Sequence, residues 1–428
     1  MLNLLRRFKH YIIVFGLTIL GHFLGFGREI ATAFYFGTSD IADGILVGII
    51  PLTLYASVFG SAYANAAIVH IKSTDNSSVI KDAIFTLVVI SVCSALFFLL
   101  GAEHIVSLMA PGLKNEGALL AQAFIKLSSV GVLFVTLSSL GRGLLHLDKR
   151  FARASISDLM PNVGMILGIV ILYQFYGIYG LALGGIAGYF LQFIFVSQWR
   201  FYCFSFKQFS TIFSKHQRTI LKSTALAAIS YSVVYVDVLV DRYFASQLFE
   251  GAIATMNYGQ KIMLLPLYTF IFAITTVIFP KLIQSQNNVI EFNRIKKQLY
   301  LVTFIASLFI TLFVVIFGKF IVSLFFNYGA FTSGDVINTY QVLVVYIIGL
   351  TGHAFVLVAS KVRYAKQDFK TPLVAGITGA AVNVALDIAL VDDFGMLGLA
   401  WATTASALVN AFLLVALKRN LNLFRSKA

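Results

Sequence analysis

Charged residues are scarce in this sequence, and their scarcity excludes an ordinary water-soluble protein. Only 12% of the 428 residues are Asp, Glu, Lys or Arg, whereas soluble domains carry roughly 25%. Hydrophobic residues make up 59% of the chain, and the mean hydropathy is +0.88. Apolar runs recur along the whole length, each of about 20 residues, which is the length of a helix that crosses a bilayer. The composition therefore predicts an α-helical protein with many membrane spans.

Cysteine and the common catalytic motifs are also rare or missing. Cys93 and Cys203 are the two cysteines, and neither their number nor their spacing predicts a disulfide framework or a metal site. The sequence has no phosphate-binding loop and no HExxH motif, which argues against a nucleotide-driven pump and against a zinc hydrolase. The first apolar run is too long for a cleaved signal peptide. We therefore expect a membrane protein that is not an enzyme.

The hydrophobic pattern predicts about twelve transmembrane helices. With edges uncertain by several residues, the predicted spans are 11–36, 41–70, 82–101, 118–146, 152–174, 177–199, 220–247, 251–280, 299–327, 336–361, 371–391 and 395–417. If the N-terminus is cytoplasmic, most of the 32 lysines and arginines fall on the cytoplasmic side, whereas the outside loops hold only Lys114 and Lys319. This asymmetry predicts that both termini are cytoplasmic. It also accounts for the net charge of +14 without a nucleic-acid partner.

Short sequences repeat at an offset of about 215 to 218 residues. The repeats are Ile-Val-Ser-Leu at 105 and 321, Gly-x-x-Gly-Leu-Ala at 177 and 395, and Pro-Leu at 51 and 266. They predict two pseudo-symmetric lobes of six helices, an N-terminal lobe at 1–200 and a C-terminal lobe at 223–428, around an alternating-access cavity. Aromatic and basic residues alternate in the linker 201–222, which predicts an amphipathic segment on the inner leaflet.

Several charged residues lie inside the predicted spans, where each costs roughly 2.5–3.5 kcal/mol unless it is paired or faces water. We therefore expect most of them to line a solute pathway, although a structural ion pair explains any single one. Because adjacent helical residues point about 100° apart, Arg28 and Glu29 are expected to face different partners, and Gly25 and Gly27 are expected to let that helix bend. The set is Arg28, Glu29, Asp43, Asp237, Asp241, Lys261 and Asp387, with Lys126, Arg142, Asp158 and Arg242 ambiguous.

Two pairs of oxygen-bearing side chains have the spacing of one helical face. Asp237 and Asp241 are four residues apart, as are Asn383 and Asp387. Such pairs suit a hard monovalent cation, and they equally suit a polar hydrogen-bond network between helices.

The stretch LGFGREIATAFYFGTSDIADG at 24–44 resembles the signature of the MurJ/MviN lipid II flippase family. That family belongs to the superfamily of multidrug, oligosaccharidyl-lipid and polysaccharide exporters. Similar matches occur in VDRYFASQLFEGAIATMNYGQKIMLLP at 240–266, in LMAPGL at 108–113 and in GRGLLHLDKRFARASISDLMPN at 141–162. The resemblance covers nearly the whole chain and implies a MATE/MurJ-like fold.

The resemblance also implies roles for individual residues. Arg28 matches the family's cavity arginine in the first helix, Glu29 replaces an Asp beside it, and Asp43 matches the acidic partner in the second helix. Lys261 and His22 occupy positions where the family has arginines, and a further family arginine falls near Tyr55 or Ala56, so two or three of the family's phosphate-binding positions are weakened. The sodium ligands of some members match Asp241, Asn383, Asp387 and Thr403, with Asp237 as an alternate carboxylate.

The resemblance therefore implies a monomeric flippase in the bacterial cytoplasmic membrane. Its substrate would be an undecaprenyl-pyrophosphate-linked saccharide such as lipid II, moved from the inner to the outer leaflet for cell-wall or surface polysaccharide synthesis. The expected partners are this lipid and the membrane lipids, and the expected coupling is to a sodium ion or the membrane potential, with no other cofactor. Well-known members have two C-terminal helices beyond the twelve that are predicted here. This difference leaves an O-antigen or capsule lipid as an alternative substrate. The sequence is also compatible with a cation-coupled multidrug exporter and with a non-transporting scaffold.

Overall fold

A computed structural model describes residues 2–74, 77–197 and 214–417, and all the regular secondary structure within them is helical. The bounds of the helices, which we number by span, are α1 Leu2–Phe36, α2 Asp40–Lys72, α3 Val79–Met109, α4 Asn115–Leu147, α5 Phe151–Tyr176, α6 Tyr179–Val196, α7 Lys215–Ala245, α8 Ala252–Gln284, α9 Val289–Phe326, α10 Ser333–Ile348 with Leu350–Ala365, and the continuous segment Lys370–Ala416. The predicted all-α membrane fold is confirmed.

The number of spans is consistent with the predicted twelve. Within the described residues, nine helices are long and apolar enough to cross a membrane, and eleven segments qualify if each of two bent pairs counts as one span. The segment Lys370–Ala416 has 47 residues and would measure about 70 Å as a straight helix, more than twice the bilayer core. Its backbone leaves the helical conformation at Gly395, which divides it into α11 (370–394) and α12 (396–416).

The repeated Gly-x-x-Gly sequence forms the same backbone turn in both halves of the chain. Gly177 has φ 57° and ψ −141°, and Gly395 has φ 54° and ψ −132°. Side chains other than glycine rarely adopt this conformation. At the second glycine of each copy, a Cβ atom would collide with backbone eight residues earlier, at Leu172 for Gly180 and at Leu390 for Gly398. The sequence repeat is therefore also a structural repeat at the α5–α6 and α11–α12 connections.

The proline-containing repeat also has the same local structure in each copy. Pro51 lies in α2 and Pro266 in α8, and a π-helical turn follows each of them, at Ala56–Gly60 and at Leu267–Ile271. Proline removes a backbone donor and disturbs the helical hydrogen-bond ladder, which permits such a wider turn. Both long helices are therefore irregular near their middles.

Contacts between Cα atoms divide the chain into two compact units. The first unit comprises residues 1–254 and 326–332, and the second comprises 255–325 and 333–428. Grouping by contact does not test lobes defined by a repeat, so the lobes 1–200 and 223–428 stay a prediction. Most of the predicted amphipathic linker lies outside the described residues.

Small residues hold helices together closely in the first unit. Along α5, Cβ atoms on Gly164 and Gly168 would collide with the backbone of α6 at Gly180, Gly184 and Gly188. Close approach of backbones through small residues is the usual way in which membrane helices pack, because lipid provides little hydrophobic driving force between them. These contacts fix α5 and α6 as a pair, which positions the polar side chains that both helices carry.

We predict that Gly395→Ala lowers the free energy of unfolding by about 1–3 kcal/mol, the usual cost of a side chain in a glycine-only conformation. Thermal unfolding of the purified chain in detergent measures the effect. Gly376→Ala is the matched control, since Gly376 lies in the same long segment, has no positive φ and has open space around its Cβ position. Equal stability of the two variants would contradict the strained turn.

Candidate functional site

Of the charged pair in α1, Glu29 is buried and Arg28 is half-buried within the first unit. Arg28 and Glu29 form an ion pair with each other, with side chains 17% and 1% exposed. The guanidinium also lies 3.5 Å from the sulfur of Met165 in α5, and Tyr189 of α6 lies within its electrostatic range. The pair therefore carries no net charge in this state, and its cationic member faces α5 and α6.

One expectation about this pair is wrong, and the bend at Gly25 and Gly27 stays a prediction. The side chains of Arg28 and Glu29 contact each other, because both are long enough to fold together although their Cβ atoms point apart. The helix also continues from Leu2 to Phe36 without a break at Gly25 or Gly27. Cβ atoms at these glycines would make ordinary contacts, with Asn162 and Ile166 of α5, so the glycines pack α1 against α5.

Asp43 joins the beginning of α2 to the beginning of α8. Its two carboxylate oxygens accept hydrogen bonds from the backbone N–H groups of Gly251, at 2.9 Å, and Ala254, at 2.7 Å. The residue is buried, and it satisfies N–H groups that a helix start leaves without partners. Asp43 therefore acts as a latch between two segments, a role that its spacing from Arg28 in the sequence did not indicate.

Further polar contacts connect the loops at this end of α2, which we call the outer end from the predicted orientation. Asp40 accepts a hydrogen bond from the N–H of Gly117 at 2.6 Å, and its own N–H donates to Glu250 at 3.1 Å. The N–H of Gly112 donates to the Ser246 hydroxyl at 3.1 Å. Around them lies a cavity of about 470 Å³, lined by Asp40, Asp43, 111–115 and 246–250.

The other end of α2 is joined to α7, again within the first unit. The amide of Asn65 donates to the Tyr231 hydroxyl at 2.9 Å, and a ring nitrogen of His70 lies 2.8 Å from one of His216. One histidine must be a neutral acceptor for this bond to form. Polar contacts therefore hold α2 to the segment 216–254 at both of its ends, and sequence reasoning missed all of those at the inner end.

The predicted cation ligands fall in both units. In the second unit, Asn383, Asp387 and Thr403 are all buried. The Asn383 amide can donate to Asp387 Oδ2 and accept from the Thr403 N–H, each at 3.3 Å. Asp241, buried in α7, belongs to the first unit. The structure thus brings three of the four residues together, and the complete site stays a prediction.

The remaining predicted site residues lie on three helices. Asp237 is half-buried on α7, His22 is half-buried on α1, and Lys261 is half-buried on α8. His22 belongs to the first unit and Lys261 to the second. Their roles in substrate binding stay predictions.

We predict that Asp43→Ala loosens the outer connection between α2 and α8, because two charge-assisted hydrogen bonds are lost, each contributing about 1.5–3 kcal/mol. Residue 254 is buried in the native protein, so Ala254→Cys reports on opening. In a background with Cys93→Ser and Cys203→Ser, Asp43→Ala should speed labelling by a membrane-impermeant maleimide about tenfold or more.

The matched control is Glu116→Gln, which removes an exposed carboxylate at the start of α4 and should leave labelling unchanged. If Asp43→Ala and the parent label at the same rate, Asp43 does not act as a latch.

Comparison with known proteins gives consistent results. The model of the family "Lipid II flippase MurJ" matches residues 33–428. Among curated relatives, the probable lipid II flippase MurJ of Thermotoga maritima is 27% identical over 91% of this chain and 80% of its own. The lipid II flippase MurJ of Burkholderia cenocepacia is 25% identical over 95% of this chain and 83% of its own.

Solved structures show the same fold. A lipid II flippase MurJ in an inward closed conformation superposes with a TM-score of 0.83, at 23% identity, over 94% of this chain and 86% of its own. A multidrug resistance MATE family transporter in an inward-facing conformation gives a TM-score of 0.70 at 16% identity, over 93% and 92% of the two chains. The expected MATE/MurJ-like architecture is confirmed.

Proposed function

The chain belongs to the lipid II flippase MurJ family, and from that premise we propose that it carries lipid II across the bacterial cytoplasmic membrane for peptidoglycan synthesis. It acts as a transporter rather than an enzyme, it spans the membrane many times, and both termini face the cytoplasm. The observation that supports the proposal most strongly is the family match over residues 33–428, since curated relatives across nearly the whole chain are lipid II flippases. These relatives favour lipid II over an O-antigen or capsule lipid.

The half-buried arginine of α1 supplies the chemistry that this substrate needs. A diphosphate cannot enter hydrocarbon alone, because the hydration free energy that it loses is far larger than its interaction with lipid chains. Arg28 provides a guanidinium, whose N–H groups bind phosphate oxygens in a fixed fork. The Glu29 carboxylate compensates the charge of this guanidinium until an anion binds. Exchange of the Glu29 carboxylate for a phosphate moves the anionic head group into the protein, while the prenyl tail stays in lipid.

The contacts at both ends of α2 suggest how access alternates. Asp43 closes the outer end onto the start of α8, and Asn65 with His70 closes the inner end onto α7. Opening toward one side requires that only one set of contacts breaks. A carrier built in this way avoids a continuous channel through the membrane.

A multidrug cation exporter is the alternative that the fold itself raises, because the MATE transporter shares it. A site for cationic drugs should present acidic and aromatic side chains without a cation nearby. Here the half-buried Arg28 on α1 provides a guanidinium, which can exchange Glu29 for another anion, so this side chain favours an anionic substrate.

Arg28→Ala is predicted to lower the flipping rate below what growth requires while the protein still inserts. The test is complementation of a bacterium whose own lipid II flippase is depleted: the parent chain should restore growth and Arg28→Ala should not. Arg28→Lys should also fail, since an ammonium lacks the planar fork. Loss of one charge-assisted contact costs about 1.5–3 kcal/mol, which is a tenfold to hundredfold lower rate.

Lys261 provides the comparison, because the family resemblance places an arginine at its position. Lys261→Ala should impair complementation and Lys261→Arg should support it. Normal growth with Arg28→Ala at equal expression would exclude the head-group role of Arg28.

We also propose that a sodium ion binds at Asn383, Asp387 and Thr403 of the second unit and couples the sodium gradient to return of the empty carrier; Asp241 stays a ligand that the family resemblance predicts. The donor set fits, since carboxylate, amide and hydroxyl oxygens are what a hard cation takes, and three of these residues lie together in the second unit. The membrane potential is the alternative source of coupling.

Asp387→Asn is predicted to remove a sodium-specific stabilisation of the purified chain. The measurement is a thermal unfolding titration with NaCl, and the control titration uses choline chloride at equal ionic strength. The parent should gain stability as RT ln(1 + [Na⁺]/Kd) in NaCl only. An equal response to both salts, or an unchanged sodium response in Asp387→Asn, would exclude the site.

A further inference from the structure

A second arginine lies within the first unit, near the inner ends of α4, α5 and α6. Arg142 Nη1 lies 3.0 Å from Asp158 Oδ1, and Arg142 Nη2 donates to the Ser139 hydroxyl at 3.1 Å. The amide of Gln192 donates to the same carboxylate of Asp158 at 3.1 Å. Arg142, Asp158 and Gln192 lie four to seven residues, or about 6–10 Å, from the inner ends of their three helices.

The groups that support this ion pair are buried, whereas the pair itself is open. Ser139 is 4% exposed and Gln192 is 3% exposed, but the side chains of Arg142 and Asp158 are 23% and 56% exposed. A carboxylate turned toward hydrocarbon would cost several kcal/mol. We therefore expect the open side of the pair to face water, where an anion could reach it.

The second unit contains an ion pair of a different kind. Arg363 lies 3.3 Å from Asp368, and their side chains are 15% and 12% exposed. The same guanidinium donates to the carbonyl groups of Leu414 and Leu417, and Asp368 accepts hydrogen bonds from Thr371. The guanidinium of Arg363 thus holds a helix end in place, and it contrasts with the more exposed Arg142.

Tyr189 lies near both the open pair and the half-buried arginine of α1. It lies on α6, three residues before Gln192, so the two side chains share a helical face. The Tyr189 hydroxyl is within electrostatic range of both Arg28 and Arg142. Arg142 lies about 8 Å from the inner end of α4, whereas Arg28 lies about 22 Å along α1 from Ile13. The two cations are therefore at different depths, with Arg142 nearer the inner side.

We propose that Arg142 is an inner anion subsite that binds a phosphoryl group of the substrate before Arg28 does, and that Asp158 is the counter-ion which the phosphate displaces. This inference rests on the proposed function, because it names the first contact of the same substrate. Asp158 keeps the hydrogen bond from Gln192 when the guanidinium leaves it, so the exchange does not leave its carboxylate without a donor. The Ser139 hydroxyl keeps the guanidinium in place during the exchange.

If the proposal is right, replacement of Arg142 and replacement of Asp158 have opposite effects on anion binding. Arg142→Ala removes the cation. The concentration of potassium pyrophosphate that gives half-maximal stabilisation of the purified chain should therefore rise about tenfold or more. Asp158→Asn removes the competing charge and keeps the hydrogen bond with Gln192, so it should lower that concentration severalfold. Thermal unfolding of the full chain in detergent measures both, with potassium chloride at matched ionic strength as the reference.

Two further variants separate a subsite from a purely structural ion pair. The double variant Arg142→Asp with Asp158→Arg restores an ion pair but moves the cation, so it should restore stability and should not restore pyrophosphate binding. Asp368→Asn breaks the structural pair of the second unit and should leave pyrophosphate binding unchanged. If Arg142→Ala and Asp158→Asn weaken binding equally, if the exchanged pair rescues it, or if pyrophosphate does not stabilise the parent, the subsite is excluded.

Lipid II flipping, measured in parallel in proteoliposomes, separates this inference from the proposed function. If the parent flips lipid II and Arg142→Ala binds pyrophosphate and flips as the parent does, the subsite is wrong and the proposed function stands. If the parent does not flip lipid II but binds pyrophosphate through Arg142, the proposed function is wrong and the anion subsite stands.

Discussion

A charge within the membrane must be paired or reach water, and this constraint explains the arrangement of the polar residues. The hydrocarbon core offers no compensation for a lost hydration shell. In this chain Arg28 is neutralised by the adjacent Glu29, and Asp43 takes two backbone N–H groups of another segment. Each pairing stabilises one state of the protein, and in the proposed transport cycle it has to break before the next state forms. Under the proposed function, the same residues contribute both to the stability of this state and to the selectivity for an anion.

Most of the architecture could be predicted from the sequence because it depends on local pattern. Runs of apolar residues indicated the spans, and the repeated glycines at 177 and 395 marked two turns with the same backbone conformation. Contacts between distant residues could not be predicted in this way. The bonds of Asp43 to residues 251 and 254, and of His70 to His216, depend on how helices pack, and nothing in the local sequence of either partner specifies the other.

Contacts within the candidate site were equally hard to predict from the sequence, even between neighbouring residues. The spacing of Arg28 and Glu29 predicted different partners, but long side chains can meet even when their Cβ atoms diverge. Asn383 and Asp387, four residues apart on α11, do lie together as their spacing predicted, since the helical period alone decides it. Residues that belong to one helix were thus predicted better than residues that must be brought together by the fold, and side-chain length decides the exceptions.

The central claim is that this chain moves lipid II between leaflets, and transport by the purified protein tests it most directly. Proteoliposomes that contain the chain and lipid II labelled on its saccharide would be treated with an enzyme that modifies only lipid II in the external leaflet. The claim predicts that nearly all the lipid II becomes accessible over time, whereas protein-free liposomes stop at about the fraction that begins outside. If liposomes with and without the chain show the same accessible fraction, under both a sodium gradient and a membrane potential, the chain is not a lipid II flippase.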